Sequence, residues 1–202
     1  MRATFVVAAA SLTLMSCGQA AVQPDQEQAT DGAANVLTCE TFSELTPASL
    51  AERYGAENIT TATLPGPEGE SYEATLVFAN DAARKIEVVW IEGGEATASI
   101  LVHGTQWIGP DGLRQGASMA DVQRINGGPF KFWGYGWDYG GWVSDWAGGA
   151  LDQRNGCTVR AHFEARDLEN AGAMGDSEFM SDSPAAQSGD PYMTGFGFAL
   201  GH

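Results

Sequence analysis

Apolar positions along this chain recur at two spacings, and each spacing predicts a different element. Tyr72, Ala74, Leu76 and Phe78 occupy alternate positions, and Ile86, Val88 and Trp90 do so again shortly afterwards. That is the period of a strand with one buried face. Strands are predicted near 58–64, 72–78, 85–91 and 96–102, separated by turn-forming clusters at 65–69, 80–82 and 93–94. Ahead of them, Thr46 reads as the N-cap of a helix that has Pro47 in its first turn and Leu50 and Tyr54 on one side. Gly55 is placed to end that helix in the left-handed region. Such an antiparallel meander buries one face and needs its helix as cover.

A second stretch repeats the plan after a connector at 105–115. Ser118 caps a helix running to Asn126, with Asp121 at the third helical position, and Gly127, Gly128 and Pro129 stop it. Asn155 and Gly156 carry a two-residue hairpin signal, so 150–154 and 157–165 are predicted to pair as the last strands. Offset by 72 positions, Thr46 falls on Ser118, Leu50 on Val122 and Gly55 on Gly127, a repeat of shape more than of residues. The fold class is therefore α+β: two helix-then-antiparallel-meander units, at about 39–104 and 105–166. They form one domain over 39–166, a mainly antiparallel sheet with short helices on one side.

Between Phe130 and Trp146 the pattern becomes denser. Eight of these seventeen residues are aromatic, against twenty in the whole chain, so this is where candidate chemistry concentrates. Trp133, Tyr135, Trp137 and Tyr139 alternate with Gly134, Gly136 and Asp138, which predicts a strand with a ladder of rings on one face and a nearly bare opposite face. The bare face permits close approach of another backbone or a helix. Gly140 and Gly141 turn the chain, and Trp142 and Trp146 return on a partner strand. Two readings follow: the rings are the core of a small sheet, or Trp133, Tyr135, Trp137, Tyr139 and Trp142 form a partly exposed platform for a protein or a sugar.

Composition adds location. Arg2 precedes an uncharged apolar run from Thr4 to Met15, the pattern of an export signal and too short to span a membrane. Leu14, Met15, Ser16 and Cys17 resemble the lipobox of bacterial lipoproteins, which implies cleavage after residue 16 and acylation of Cys17. Gly18, where an Asp is absent, implies forwarding to the outer membrane. The expected place is its periplasmic face, lipid-anchored. Residues 17–38, rich in Ala, Gln and Asp, read as a flexible tether spanning on the order of 25 Å on average and up to about 70 Å when extended. Two cysteines remain, and in an exported chain Cys39 and Cys157 are predicted to pair, closing a loop of about 120 residues worth roughly 4 to 5 kcal/mol by chain entropy. The formal charge of −16 excludes nucleic acid and anionic head groups as direct partners, leaving the lipid as the membrane contact. Residues 167–202 hold six acidic residues and no Lys or Arg, which reads as a disordered tail. The alternation of Phe196, Phe198 and Leu200 leaves an added edge strand as the alternative.

Gly116, Ala117, Ser118, Val122, Gly127 and Pro129 spell a helix opening and closing that resembles the small outer-membrane assembly lipoproteins of the SmpA/OmlA (BamE) type. The helix-then-meander unit is similar to the tandem halves of β-lactamase inhibitor protein. The resemblance implies a non-enzymatic module that binds proteins through one sheet face, and it maps that surface onto the same five aromatic residues.

Motifs for catalysis are absent: His103, His162 and His202 have no metal-binding spacing, and neither a nucleophile elbow nor a phosphate loop occurs. His162 is expected on a polar, solvated strand face beside Arg160 and Glu164. Asp138 and Asp145 read as acceptors for backbone amides in preference to a glycosidase pair or a Ca²⁺ site. The sequence thus predicts no catalytic residue, metal or cofactor. It predicts a lipid-anchored lipoprotein acting as a protein-binding or inhibitor-like module with an envelope protein as partner, and a cell-wall glycan binder as the alternative.

Overall fold

A computed structural model describes residues 35–43, 45–91, 97–152 and 156–200. Cys17, the turn at 93–94 and Asn155 of the hairpin signal lie outside the described residues. The fold is α+β, with four short helices and two antiparallel sheets among the described residues. The helices are α1 (Cys39–Phe42), α2 (Pro47–Tyr54), α3 (Met119–Asn126) and α4 (Pro184–Gln187). Among the described residues no helix is long and apolar enough to cross a membrane.

The larger sheet contains β1 (Ile59–Pro65), β2 (Ser71–Val77), β3 (Ile86–Trp90), β4 (Thr97–Val102), β9 (Pro191–Leu200) and β7 (Cys157–Ala165), in that spatial order. The smaller has β5 (Lys131–Trp133) in the middle, flanked by β6 (Val143–Asp145) and β8 (Glu178–Met180). Both helix-then-meander stretches contribute to the large sheet: the first supplies β1 to β4, the second β7.

Local signals place the helices. Thr46 Oγ1 accepts from the Ser49 amide at 3.2 Å to open α2, and Gly55 closes it with φ 84° and ψ 128°, a positive φ but not the left-handed helical conformation. Ser118 Oγ accepts from the Asp121 amide at 3.1 Å to open α3, and Gly127 ends it in the left-handed region. Leu50, Met119 and Val122 are buried by these helices.

Register then sorts the strand residues onto two faces. Val77, Ile86, Val102, Phe196 and Ala161 pair in one row across five strands, each fully buried. This row faces the core, where Phe42 meets Phe198 at 5.6 Å and Phe130 meets Phe163 at 5.6 Å. One residue along each strand, Leu76, Glu87, Leu101, Gly197 and Arg160 form the neighbouring row, which faces the other way. The expected buried face of β2 is thus reversed relative to β3: Tyr72, Ala74 and Leu76 lie opposite Ile86 and Val88, and Val77 is the core residue. Ala74 and Leu76 are buried all the same, so both faces of the sheet are partly covered.

The disulfide joins Cys39 to Cys157 as expected, with Cα atoms 5.9 Å apart, tying α1 to the first residue of β7. Three other expectations need correction. The tether does not extend to residue 38: Leu37 is buried and its amide donates to the Ile108 carbonyl at 2.8 Å. Residues 150–152 form a turn, and β7 pairs instead with β9. The acidic tail is not disordered through residue 200. Its strand β9 is no edge either, since it sits between β4 and β7 with Met193, Phe196 and Phe198 fully buried. Tertiary pairing outweighs local composition there: β9 is hydrogen-bonded to a strand on each side and adds these three side chains to the common core.

Candidate functional site

The expected aromatic strand stops at Trp133. Reciprocal backbone bonds, Trp133 amide to Trp142 carbonyl at 2.9 Å and Gly141 amide to Trp133 carbonyl at 2.8 Å, close residues 134–141 into a loop. Within it the Tyr135 amide donates to Ala173 and its carbonyl accepts from Gly175, both at 2.8 Å, which draws this residue toward the segment before β8. Gly136 then turns the backbone with φ 86°, outside the strand region, and the two-residue alternation is lost. The bare side works as its composition suggests at Gly134, where an added Cβ would stand 2.6 Å from the Gly175 carbonyl oxygen. The close neighbour is backbone, not a helix.

Consequently four of the five predicted rings come together and one does not. Trp133, Trp137, Tyr139 and Trp142 line a groove of about 800 Å³. Tyr135 is 3% exposed, packs 5.5 Å from Phe132 and belongs to the core. Its hydroxyl is sealed without a hydrogen-bond partner, and burial pushes its pKa up.

The floor of the groove is the outward face of the large sheet: Tyr72, Glu87, Val89, Ser99, Leu101 and Arg160. The far wall is the β1–β2 turn at Pro65, Gly66 and Pro67. Asp138 ties loop to turn, its Oδ2 accepting from the Glu68 amide at 2.8 Å. Trp133 and Trp137 meet edge-to-face at 5.7 Å, and Trp137 meets Tyr139 at 5.3 Å, so these rings are held at steep mutual angles. Trp137 donates its indole N–H to the Gly134 carbonyl at 2.9 Å. The indole N–H groups of Trp133 and Trp142 have no hydrogen-bond acceptor among the described residues.

Trp142 is gripped from β7. The Arg160 guanidinium carbon lies 4.4 Å from its ring centroid, and the His162 ring 4.8 Å away. Arg160 and His162 are two apart on one strand, so they project from the same face and bracket one indole. His162 is not solvated as expected: it is half-buried, with Nδ1 2.6 Å from Thr194 Oγ1 and Nε2 3.0 Å from the Gly140 carbonyl. Burial pushes its pKa below the ordinary histidine value, against the opposing effects of the Gly140 hydrogen bond and Glu164.

Glu87, 7% exposed, is the acid of the floor. Tyr72 donates to its Oε1 at 2.8 Å, and His103 Nε2 lies 3.2 Å from its Oε2. Burial alone would raise its pKa, but the hydrogen bonds from His103 and Tyr72 outweigh that and hold it below the ordinary value. Burial and the bond to Glu87 push Tyr72 up to about 12. Arg160 is pushed down by burial, with Glu87 and Tyr72 opposing, and it remains a cation as arginine does.

Sequence reasoning missed Tyr72, Glu87 and Arg160. Arg160 was visible as the one cation within an alternation of Cys157, Val159, Ala161 and Phe163, a polar residue aimed away from the core. Glu87 interrupts Ile86 and Val88 in the same way. Asp145 accepts from the Ala147 amide at 2.7 Å, the turn role expected of it. Compared with protein-family models, curated proteins and solved structures, the chain matches none of them.

Proposed function

We propose that this chain is a non-enzymatic binding module that holds a short glycan segment in the aromatic groove, presented from a lipid anchor at Cys17. One observation carries the reading: Trp133, Trp137, Tyr139 and Trp142 line a concavity with polar groups set between them, and do not form a flat patch. Sugars present apolar C–H faces and a rim of hydroxyls. Rings serve the first, and the two unpartnered indole N–H groups, Ser99 and Tyr72 serve the second. A groove of about 800 Å³ is of the size that encloses a small ligand, whereas protein partners usually meet over broader and flatter surfaces. The lipobox-like residues ending at Cys17 support attachment to the periplasmic face of the outer membrane, and Cys17→Ala should release the chain from membranes.

The test is calorimetric titration of the folded chain with soluble peptidoglycan fragments and chitin oligosaccharides, alongside Trp137→Ala. Binding weakened about tenfold or more by that variant supports the reading. A folded protein that takes up no glycan of the set overturns it. A protein partner remains the second reading, favoured by Tyr139, which stands 40% exposed at the edge of the loop. Its signature would be a partner loop whose binding requires Tyr139 as well as Trp137.

A further inference from the structure

We infer that the groove selects an acidic glycan, with the carboxylate of a uronic acid or similar sugar received by Arg160. The inference rests on the glycan reading and narrows it. Arg160 is half-buried in the floor of the groove, and no carboxylate of the described residues forms an ion pair with it. Glu87, on the same row of the sheet, acts on this cation through its charge alone, and the guanidinium N–H groups have no carboxylate in hydrogen-bond contact among the described residues.

The two acids of the same groove are otherwise engaged. Glu87 has one oxygen on the Tyr72 hydroxyl and the other beside His103, and Asp138 accepts from the Glu68 amide. Moving either to Arg160 would break a bond that the fold uses. The guanidinium lies over the Trp142 ring, 4.4 Å from its centroid. A guanidinium held over a ring by its charge makes no hydrogen bond to it, so its N–H groups remain donors for a carboxylate, which can take two parallel bonds.

The experiment compares trimers of galacturonic and glucuronic acid with their carboxyl-reduced neutral counterparts, titrated calorimetrically at low salt into the folded chain. The acidic trimers should bind roughly tenfold or more tighter than the neutral ones, a preference that shrinks as salt is added. Arg160→Gln should abolish the preference, bringing the acidic trimers' affinity to that of the neutral ones in the same variant. Arg160→Lys, which keeps charge without the planar fork, should retain part of it. Equal affinity for acidic and neutral trimers, or a preference that survives in Arg160→Gln, overturns the role of Arg160 and leaves the glycan reading standing. No binding of any trimer overturns the acidic-glycan inference, and the glycan reading falls with it only if the peptidoglycan and chitin fragments also fail to bind.

Discussion

The backbone amide of Glu68 donates to Oδ2 of Asp138 at 2.8 Å, across seventy positions of sequence. Glu68 holds φ 56° in the β1–β2 turn, which aims its amide at the aromatic loop. The contact bridges the two walls of the groove.

Asp138→Ala should therefore loosen the groove more than it destabilises the protein. The bond is exposed, so its loss should cost about 1 kcal/mol or less in denaturant unfolding. Hydrogen exchange at the Glu68 amide should accelerate, while exchange in β3 and β4 should not change. Unaltered exchange at Glu68 would show that the bridge does not hold the turn.

Tyr135 and Trp137, two residues apart, should respond oppositely to truncation. Tyr135→Ala removes a buried ring and should cost about 3 to 5 kcal/mol. Tyr135→Phe removes a hydroxyl without a partner and should be neutral or stabilising by up to about 1 kcal/mol. Trp137→Ala should weaken ligand binding with a smaller loss of stability. Denaturant curves for the three variants decide this, and a strongly destabilising Tyr135→Phe would mean that the hydroxyl is satisfied after all.

Reduction of Cys39 and Cys157 should lower stability substantially. The bridge spans 118 positions, for which the chain-entropy model gives about 4 to 5 kcal/mol. Unfolding midpoints with and without reductant, and for a double Cys→Ser variant, provide the measure. Coincident midpoints would count against the bridge.

Acidification should destabilise the fold in two stages. His162 has a folded pKa below its ordinary 6.5, so as pH falls below about 6.5 the unfolded chain takes up a proton that the folded chain resists, and stability drops. Glu87 lies below its ordinary 4.5, so its contribution is complete above that value and is lost as pH falls through its folded pKa. His162→Gln should flatten the first stage, and Glu87→Gln the second. Stability curves from pH 7 to pH 3 test both, and a first stage that persists in His162→Gln would remove that residue as its cause.

Helix ends, turns and adjacent strand pairs are legible in the residues because short-range physics decides them. Thr46 and Ser118 cap their helices because a hydroxyl meets an orphan amide three residues on, and Gly55 and Gly127 end them because a positive φ costs glycine nothing. The meander from β1 to β4 follows from adjacent alternating runs joined by turn residues. The partnership of Cys39 and Cys157 follows once Cys17 is set aside as the expected lipidation site. The crowding of rings at 130–146 also located the candidate site. Tertiary structure decided where neighbours in sequence part company. Trp133 and Tyr135 share an alternation, yet Gly136 can leave the strand conformation, and backbone bonds to Ala173 and Gly175 draw Tyr135 into the core. The composition of 167–202 hides β9, because a strand buried between two others is stabilised by partners nearly a hundred and some thirty residues away. That insertion aligns Leu101, Gly197 and Arg160 in one row and so carries the cation to the floor of the groove. No local pattern around Arg160 encodes the aromatic residues it faces, since register between distant strands is set by the burial of all their side chains at once.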